Sequence, residues 1–139
     1  MAERFLVPFD GSKNSEKGLR YACWLASKLG ATLTVLYVVN IPATGDSAVL
    51  NARSLISEGR KVLEKAKKTV ESENCVHTRY YLRHGVGNPA HEIIKLSKEA
   101  AFSMIVMSAT GHTALSHLLM GSVSDTVVHH AQCIVVIVR

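Results

Sequence analysis

The chain has 139 residues, 47% of them apolar and 19% charged, with a formal net charge of +5 and a pI near 9.3. Residues 1–139 make one domain, long enough to bury roughly two-thirds of its unfolded surface without a disulfide or metal staple. This balance excludes intrinsic disorder, and the longest apolar run, Cys133 to Val138, is far short of the ~20 residues that cross a bilayer, so no membrane partner is expected.

The first residues, Met1-Ala2-Glu3-Arg4, show no basic region leading into an apolar one. No signal peptide is expected, and a cytoplasmic location is. Arg4 to Phe9 reads as a strand, closed by Pro8, which has no N–H to give a ladder. Asp10-Gly11-Ser12 is a turn. Leu19, Ala22, Cys23, Ala26 and Leu29 then recur at helical spacing, and Gly30 suits the left-handed residue that ends a helix. Leu33 to Val39 is a second strand, and Ile41 to Asp46 a loop.

A long helix follows, with Ala52, Leu55, Ile56, Gly59, Val62, Leu63 and Ala66 as its apolar stripe. Val76 to Arg83 alternates: Val76, Thr78, Tyr80 and Leu82 against His77, Arg79, Tyr81 and Arg83. That is a half-exposed strand at a sheet edge. Asn88 and Pro89 supply an N-cap and a first-turn proline to a helix that carries Ile93, Ile94 and Ser97 on one side. Ser103 to Met107 is a fourth strand. A helix after Gly121 is expected to bury Val123, Val127, Val128 and Ala131, and Ile134 to Val138 is a fifth strand.

Strands alternating with helix-length crossovers imply an α/β fold of three layers, an open parallel sheet with helices on both faces. The last strand has no polar residue before Arg139. An uncovered edge of that kind invites pairing, so a homodimer through Ile134–Val138 is expected.

The cysteines, Cys23, Cys75 and Cys133, include no CxxC spacing, and Cys23 and Cys133 lie in apolar patterns as small core residues. The densest basic group, Lys61 to Lys68, is interleaved with Glu64 and reads as a solvated helix face. No nucleic-acid partner is expected.

The segment with most chemical content is SATGHTALSHLLMGSVSDTV, Ser108 to Val127. Ser108 to Gly111 lies at the carboxyl end of a parallel strand, where open α/β sheets bind ligands. Glycines let main chain approach a ligand and adopt positive φ. A helix starting at Ser122 aims free N–H groups and a partial positive charge outward, and the Ser122 and Ser124 hydroxyls add donors. The parts make a phosphate cradle without a lysine. On spacing alone they equally make a loop glycine and an ordinary serine cap. Asp10 has two readings as well: a turn cap at Gly11, or a carboxylate accepting ribose hydroxyls or adenine N–H groups, or sharing a metal with phosphate.

Other motifs fail on context. GVGNPA, Gly85 to Ala90, satisfies G-x-G-x-x-A, but follows the third strand, and the position twenty beyond Gly87 is Met107 rather than an acid. HEIIK, from His91, ends in Lys95 where a zinc protease needs histidine. His129 and His130 point about 100° apart on a helix. No G-x-S-x-G elbow is present. No catalytic residue and no metal-ligand set is assigned.

Gly111, nine residues, Gly121 and Ser122 match the tail of G-x-x-G-(nine residues)-G-[ST], the pattern of the ATP-binding branch of the universal stress protein family. The resemblance spans the chain, including VPFDGSKNSEKGLRYA, VGNPAHEI and GSVSDTVVHHAQCIVVIV. It implies a Rossmann-like, adenine nucleotide alpha hydrolase-like sheet in the order 3-2-1-4-5. It implies adenine and ribose contacts from Asp10 and Val38, with Pro8 beside them, and a strand-4 wall of Met107, Ser108, Thr110 and Gly111. Gly121, Ser122, Val123 and Ser124 would hold phosphates. The chain departs from the pattern at Ser108, where the family has its first motif glycine.

The expected function is that of a dimeric stress-response protein binding ATP, ADP or AMP, with Mg²⁺ as a further candidate. A slow ATPase or phosphotransferase and a ligand-free structural dimer are the alternatives. Phosphoryl transfer needs charge stabilisation, and Ser108 to Ser124 holds no lysine or arginine; only His112 and His117 titrate near neutrality. Binding is therefore expected over turnover.

Overall fold

The computed structural model describes residues 3–41, 48–75, 77–111 and 120–139. Nine elements alternate along it: β1 (Arg4–Pro8), α1 (Lys13–Leu29), β2 (Thr32–Asn40), α2 (Ala48–Ser72), β3 (Thr78–Gly85), α3 (Ala90–Glu99), β4 (Met104–Ser108), α4 (Ser122–His130) and β5 (Ile134–Val138). The strands form one parallel sheet in the order β3-β2-β1-β4-β5.

Short apolar strands fit this arrangement because both faces of a parallel sheet are covered. Phe5 and Val7 face one side with Leu33, Val35 and Val106, packing on Leu19, Ala22 and Ala26 of α1 and on Ala66 and Val70 of α2. Leu6 faces the other with Leu36, Ile105 and Met107, against Ile93 and Leu96 of α3 and Val127 of α4. Among the described residues no helix is long and apolar enough to cross a membrane.

Capping sets the element boundaries. Ser12 Oγ accepts the Ser15 N–H at 3.1 Å and opens α1, and Gly30, at φ 64°, closes it. Asn88 Oδ1 accepts the Ala90 N–H at 3.0 Å, while Pro89 is already helical at φ −55° and ψ −22°. Asn88 thus caps α3 and Pro89 starts its first turn, as their order in the sequence implies.

β3 carries the expected half-exposed pattern at a sheet edge, but runs from Thr78 to Gly85 rather than from Val76 to Arg83. Val76 and most of the loop read over Ile41 to Asp46 lie outside the described residues. Two apolar expectations fail. Leu29 is 52% exposed, because it is the last residue of α1 and the left-handed Gly30 turns the chain away there. Val128 is 42% exposed, because α4 lies over the outer strands and no strand follows β5 to cover that flank. Cys23 is buried, as read from its spacing; Cys133 is half-buried, packed against the α3–α4 core.

Candidate functional site

β1 is flanked by β2 on one side and β4 on the other, so the chain leaves β1 and β4 in opposite directions. Such a reversal opens a crevice beyond the strand ends. A cleft of about 260 Å³ lies there, lined by the ends of β1, β2 and β4 and the starts of α3 and α4. Small-molecule sites occupy roughly 300–1,000 Å³, so this one is compact. All eleven residues singled out in the sequence line it: Pro8, Asp10, Val38, Met107, Ser108, Thr110, Gly111, Gly121, Ser122, Val123 and Ser124.

Asp10 is fixed where β1 turns into α1. Its Oδ1 accepts the Ser12 N–H at 2.9 Å. Its Oδ2 lies so close to Gly111 that a Cβ there would collide with it. Glycine at 111 is therefore favoured by close approach to Asp10, not by a left-handed backbone, since positive φ among described glycines occurs at Gly11, Gly30 and Gly87. Gly121 is extended at φ −70° and ψ 165°, so it too departs from the expectation of positive φ.

Four side chains shape the β4–α4 wall. Ser108 Oγ donates to the Thr110 carbonyl at 2.8 Å. The hydroxyl that replaces a motif glycine thus folds back on its own loop. Asn14, in the first turn of α1, donates from Nδ2 to Thr110 Oγ1 at 2.8 Å. The Ala109 carbonyl accepts the Gly121 N–H at 2.8 Å and the Ser124 hydroxyl at 2.5 Å. Ser124, expected as a donor to ligand, is buried and directs its proton to main chain; Ser122 is exposed at the rim.

α4 begins without a side-chain cap, because its N-cap is Gly121. The N–H groups of Ser122, Val123 and Ser124 have no intrahelical acceptor. The open positive end of a nine-residue helix therefore borders the cleft. Among the described residues, the cleft's charged side chain is Asp10, and none of those lining it is a lysine, arginine or histidine. The nearby Lys65 ammonium binds the Gly11 carbonyl at 2.6 Å, outside the lining. Among the described residues, no cluster of three His, Cys, Asp or Glu side chains is placed to hold a metal ion.

The fold adds residues that the motifs did not indicate. Tyr37 lines the cleft beside Val38, its phenol pushed above the usual tyrosine range by burial, then by Asp10 and Glu58. Pro89 and Ile93 bring the start of α3 to the opposite side. Asn14 reaches the cleft wall through Thr110. Asn14, Pro89 and Ile93 fall inside the longer stretches that carry the family resemblance, but the resemblance gives them no ligand role, and Tyr37 lies in a near-continuous apolar strand whose pattern does not single it out. His112 and His117 lie outside the described residues.

A model of the universal stress protein family matches residues 1–139. The universal stress protein MJ0531 of Methanocaldococcus jannaschii is 33% identical over 144 residues, covering 99% of this chain and 82% of its own. In structure, the universal stress protein UspA from Lactobacillus plantarum superposes with a TM-score of 0.85 at 25% identity, over 99% of this chain and 97% of its own. A universal stress protein from Archaeoglobus fulgidus, solved in complex with dAMP, shares the fold with a TM-score of 0.71 at 19% identity, over 100% and 98% of the two chains.

Proposed function

The chain belongs to the universal stress protein family, and from that premise we propose that it binds an adenine nucleotide, ATP or its di- and monophosphates, in the cleft between β1 and β4. The observation that carries this reading is the uncapped start of α4 on the wall of a mostly apolar crevice. Main-chain N–H groups of Ser122, Val123 and Ser124, with the Ser122 hydroxyl, receive the phosphates. Pro8, Asp10 and Val38 take the base and ribose, Asp10 accepting hydrogen bonds from hydroxyl or amino groups. Met107, Ser108, Thr110 and Gly111 form the wall between the two ends. The dAMP complex of the Archaeoglobus fulgidus relative supports an adenine ligand.

Binding rather than turnover fits the side chains that line the cleft. Phosphoryl transfer needs positive charge on the transferring group, and among the described residues the lining side chains supply none. A Mg²⁺ carried in on the phosphates would meet Asp10. The protein then acts as a cytoplasmic stress-response regulator that reports nucleotide state, as a homodimer joined through β5. That strand is a sheet edge, with Ile134 61% exposed.

The test is chemical. Purified protein is heat-denatured and its supernatant assayed for adenine nucleotide, and stripped protein is titrated with ATP. Release or saturable binding is expected, and neither would end the proposal. Gly121→Val should abolish binding in a folded chain; retained affinity would mean the phosphates lie elsewhere. Incubation with labelled ATP and Mg²⁺ should give no product above the protein-free control, and product would make the chain an enzyme.

A further inference from the structure

The Asn14–Thr110 contact joins the first turn of α1 to the loop that follows β4, 96 residues later in the chain. It is a hydrogen bond of 2.8 Å with a defined direction: the amide nitrogen gives and the threonine oxygen receives. A hydroxyl oxygen has one proton of its own to give. With the Asn14 amide on the acceptor side of Thr110 Oγ1, that proton is turned away from α1. Thr110 is half-buried and lines the cleft. Its Cα also lies 3.6 Å from where a Cβ on Gly121 would stand, at the open end of α4. Its carbonyl is already held by Ser108 Oγ at 2.8 Å, so the residue is gripped from two sides.

We propose that Asn14 is a positioning residue for the anionic end of the nucleotide cleft, orienting the Thr110 hydroxyl as a donor to a phosphate. The proposal rests on the reading of the cleft given above. Asn14 touches no ligand itself and acts through Thr110. The main-chain donors at the start of α4 are fixed by the helix, whereas a hydroxyl proton rotates unless its oxygen is held. Asn14 supplies that hold from a different element, which ties the β1–α1 corner to the phosphate end.

The test is a double-mutant cycle on the whole chain, read by calorimetric titration with ATP and with adenosine. Wild type is measured first. If it binds neither, the nucleotide reading fails and this inference falls with it. If it binds, Asn14→Ala and Thr110→Val should each weaken ATP by about 10- to 100-fold, the size of one hydrogen bond to a charged group. Adenosine, which has no phosphate, should change by less than about twofold on the same scale. The double variant should be no weaker than Thr110→Val alone, and Thr110→Ser should keep wild-type affinity. Alanine is a strong helix former, so Asn14→Ala keeps α1, which circular dichroism verifies. Additive losses, equal losses for ATP and adenosine, or no loss in Asn14→Ala would each overturn the assignment.

Discussion

Asp10 and Gly111 meet so closely that a methyl group at 111 collides with Oδ2. Gly111→Ala should therefore push the carboxylate out of place. ATP affinity is expected to fall at least about tenfold, a loss of one charged hydrogen bond. Calorimetric titration measures it, and unchanged affinity would remove Asp10 from the ligand contacts. A second residue-scale expectation concerns sulfur. Cys23 is buried in the α1–α2 core, and burial pushes its thiol above the usual cysteine range, with Cys75 contributing next. The thiolate is the reactive form. In the folded protein iodoacetamide at neutral pH should modify Cys75, which is half-exposed, well before Cys23, whereas denaturation should equalise them. Mass mapping of the alkylated peptides decides, and equal rates in the folded state would contradict the burial of Cys23.

At the scale of elements, the three described N-caps differ in kind. Ser12 and Asn88 close the starts of α1 and α3 with side-chain acceptors. Replacing either by alanine should cost about 1 kcal/mol in urea denaturation. α4 has Gly121 instead, at dihedrals any residue adopts, with 3.4 Å between a built Cβ and the Ala109 carbonyl. Gly121→Asp should thus raise stability by a few tenths of a kcal/mol, on the order of the difference between glycine and aspartate caps. The same carboxylate would occupy the N–H groups and repel phosphate, so ATP binding should be lost. A variant that is stabilised and still binds ATP would displace the phosphates from α4. The contrast also shows what the sequence made legible. Helical spacing, short apolar runs and the one alternating strand located every element, because such patterns report which faces are buried. They misjudged Leu29 and Val128, because period carries no information on where a helix ends or the sheet stops covering it. The cleft residues near Gly111 and Gly121 stood out through a spaced motif. Tyr37, Pro89, Ile93 and Asn14 did not, since they come from separate elements that meet only after the sheet forms.

At the scale of the molecule, β5 pairs with β4 along Met104↔Ile134 through Ser108↔Val138, and its far side faces outward at the sheet edge. If two copies join there, Val136→Glu should give monomers, because a charge on a desolvated strand pair is costly. Sedimentation velocity is the measurement, and an intact dimer would place the interface elsewhere. Stability of the whole chain should also fail at alkaline pH in a defined window. The Tyr80 phenol on edge strand β3 is pushed up to about 12, by burial first, then by nearby thiols and by Glu71 and Glu64. An unfolded tyrosine ionises near ~10. Between these values the native state holds the proton more tightly. The contribution of Tyr80 is therefore complete below pH ~10 and lost as pH rises through the folded value. Melting temperatures should fall across that window, and less steeply in Tyr80→Phe. Identical slopes would show that Tyr80 takes no part.

The Ala109 carbonyl, held at once by the Gly121 N–H and the Ser124 hydroxyl, has a further consequence. It acts as a buckle across the two ends of the segment between positions 111 and 120. A segment fastened in this way at its root can be swapped for one of another length or composition without loosening the pocket floor. The two ends of the cleft wall, Ala109 and Gly121, are thus set by the sheet and α4 and not by the sequence that joins them.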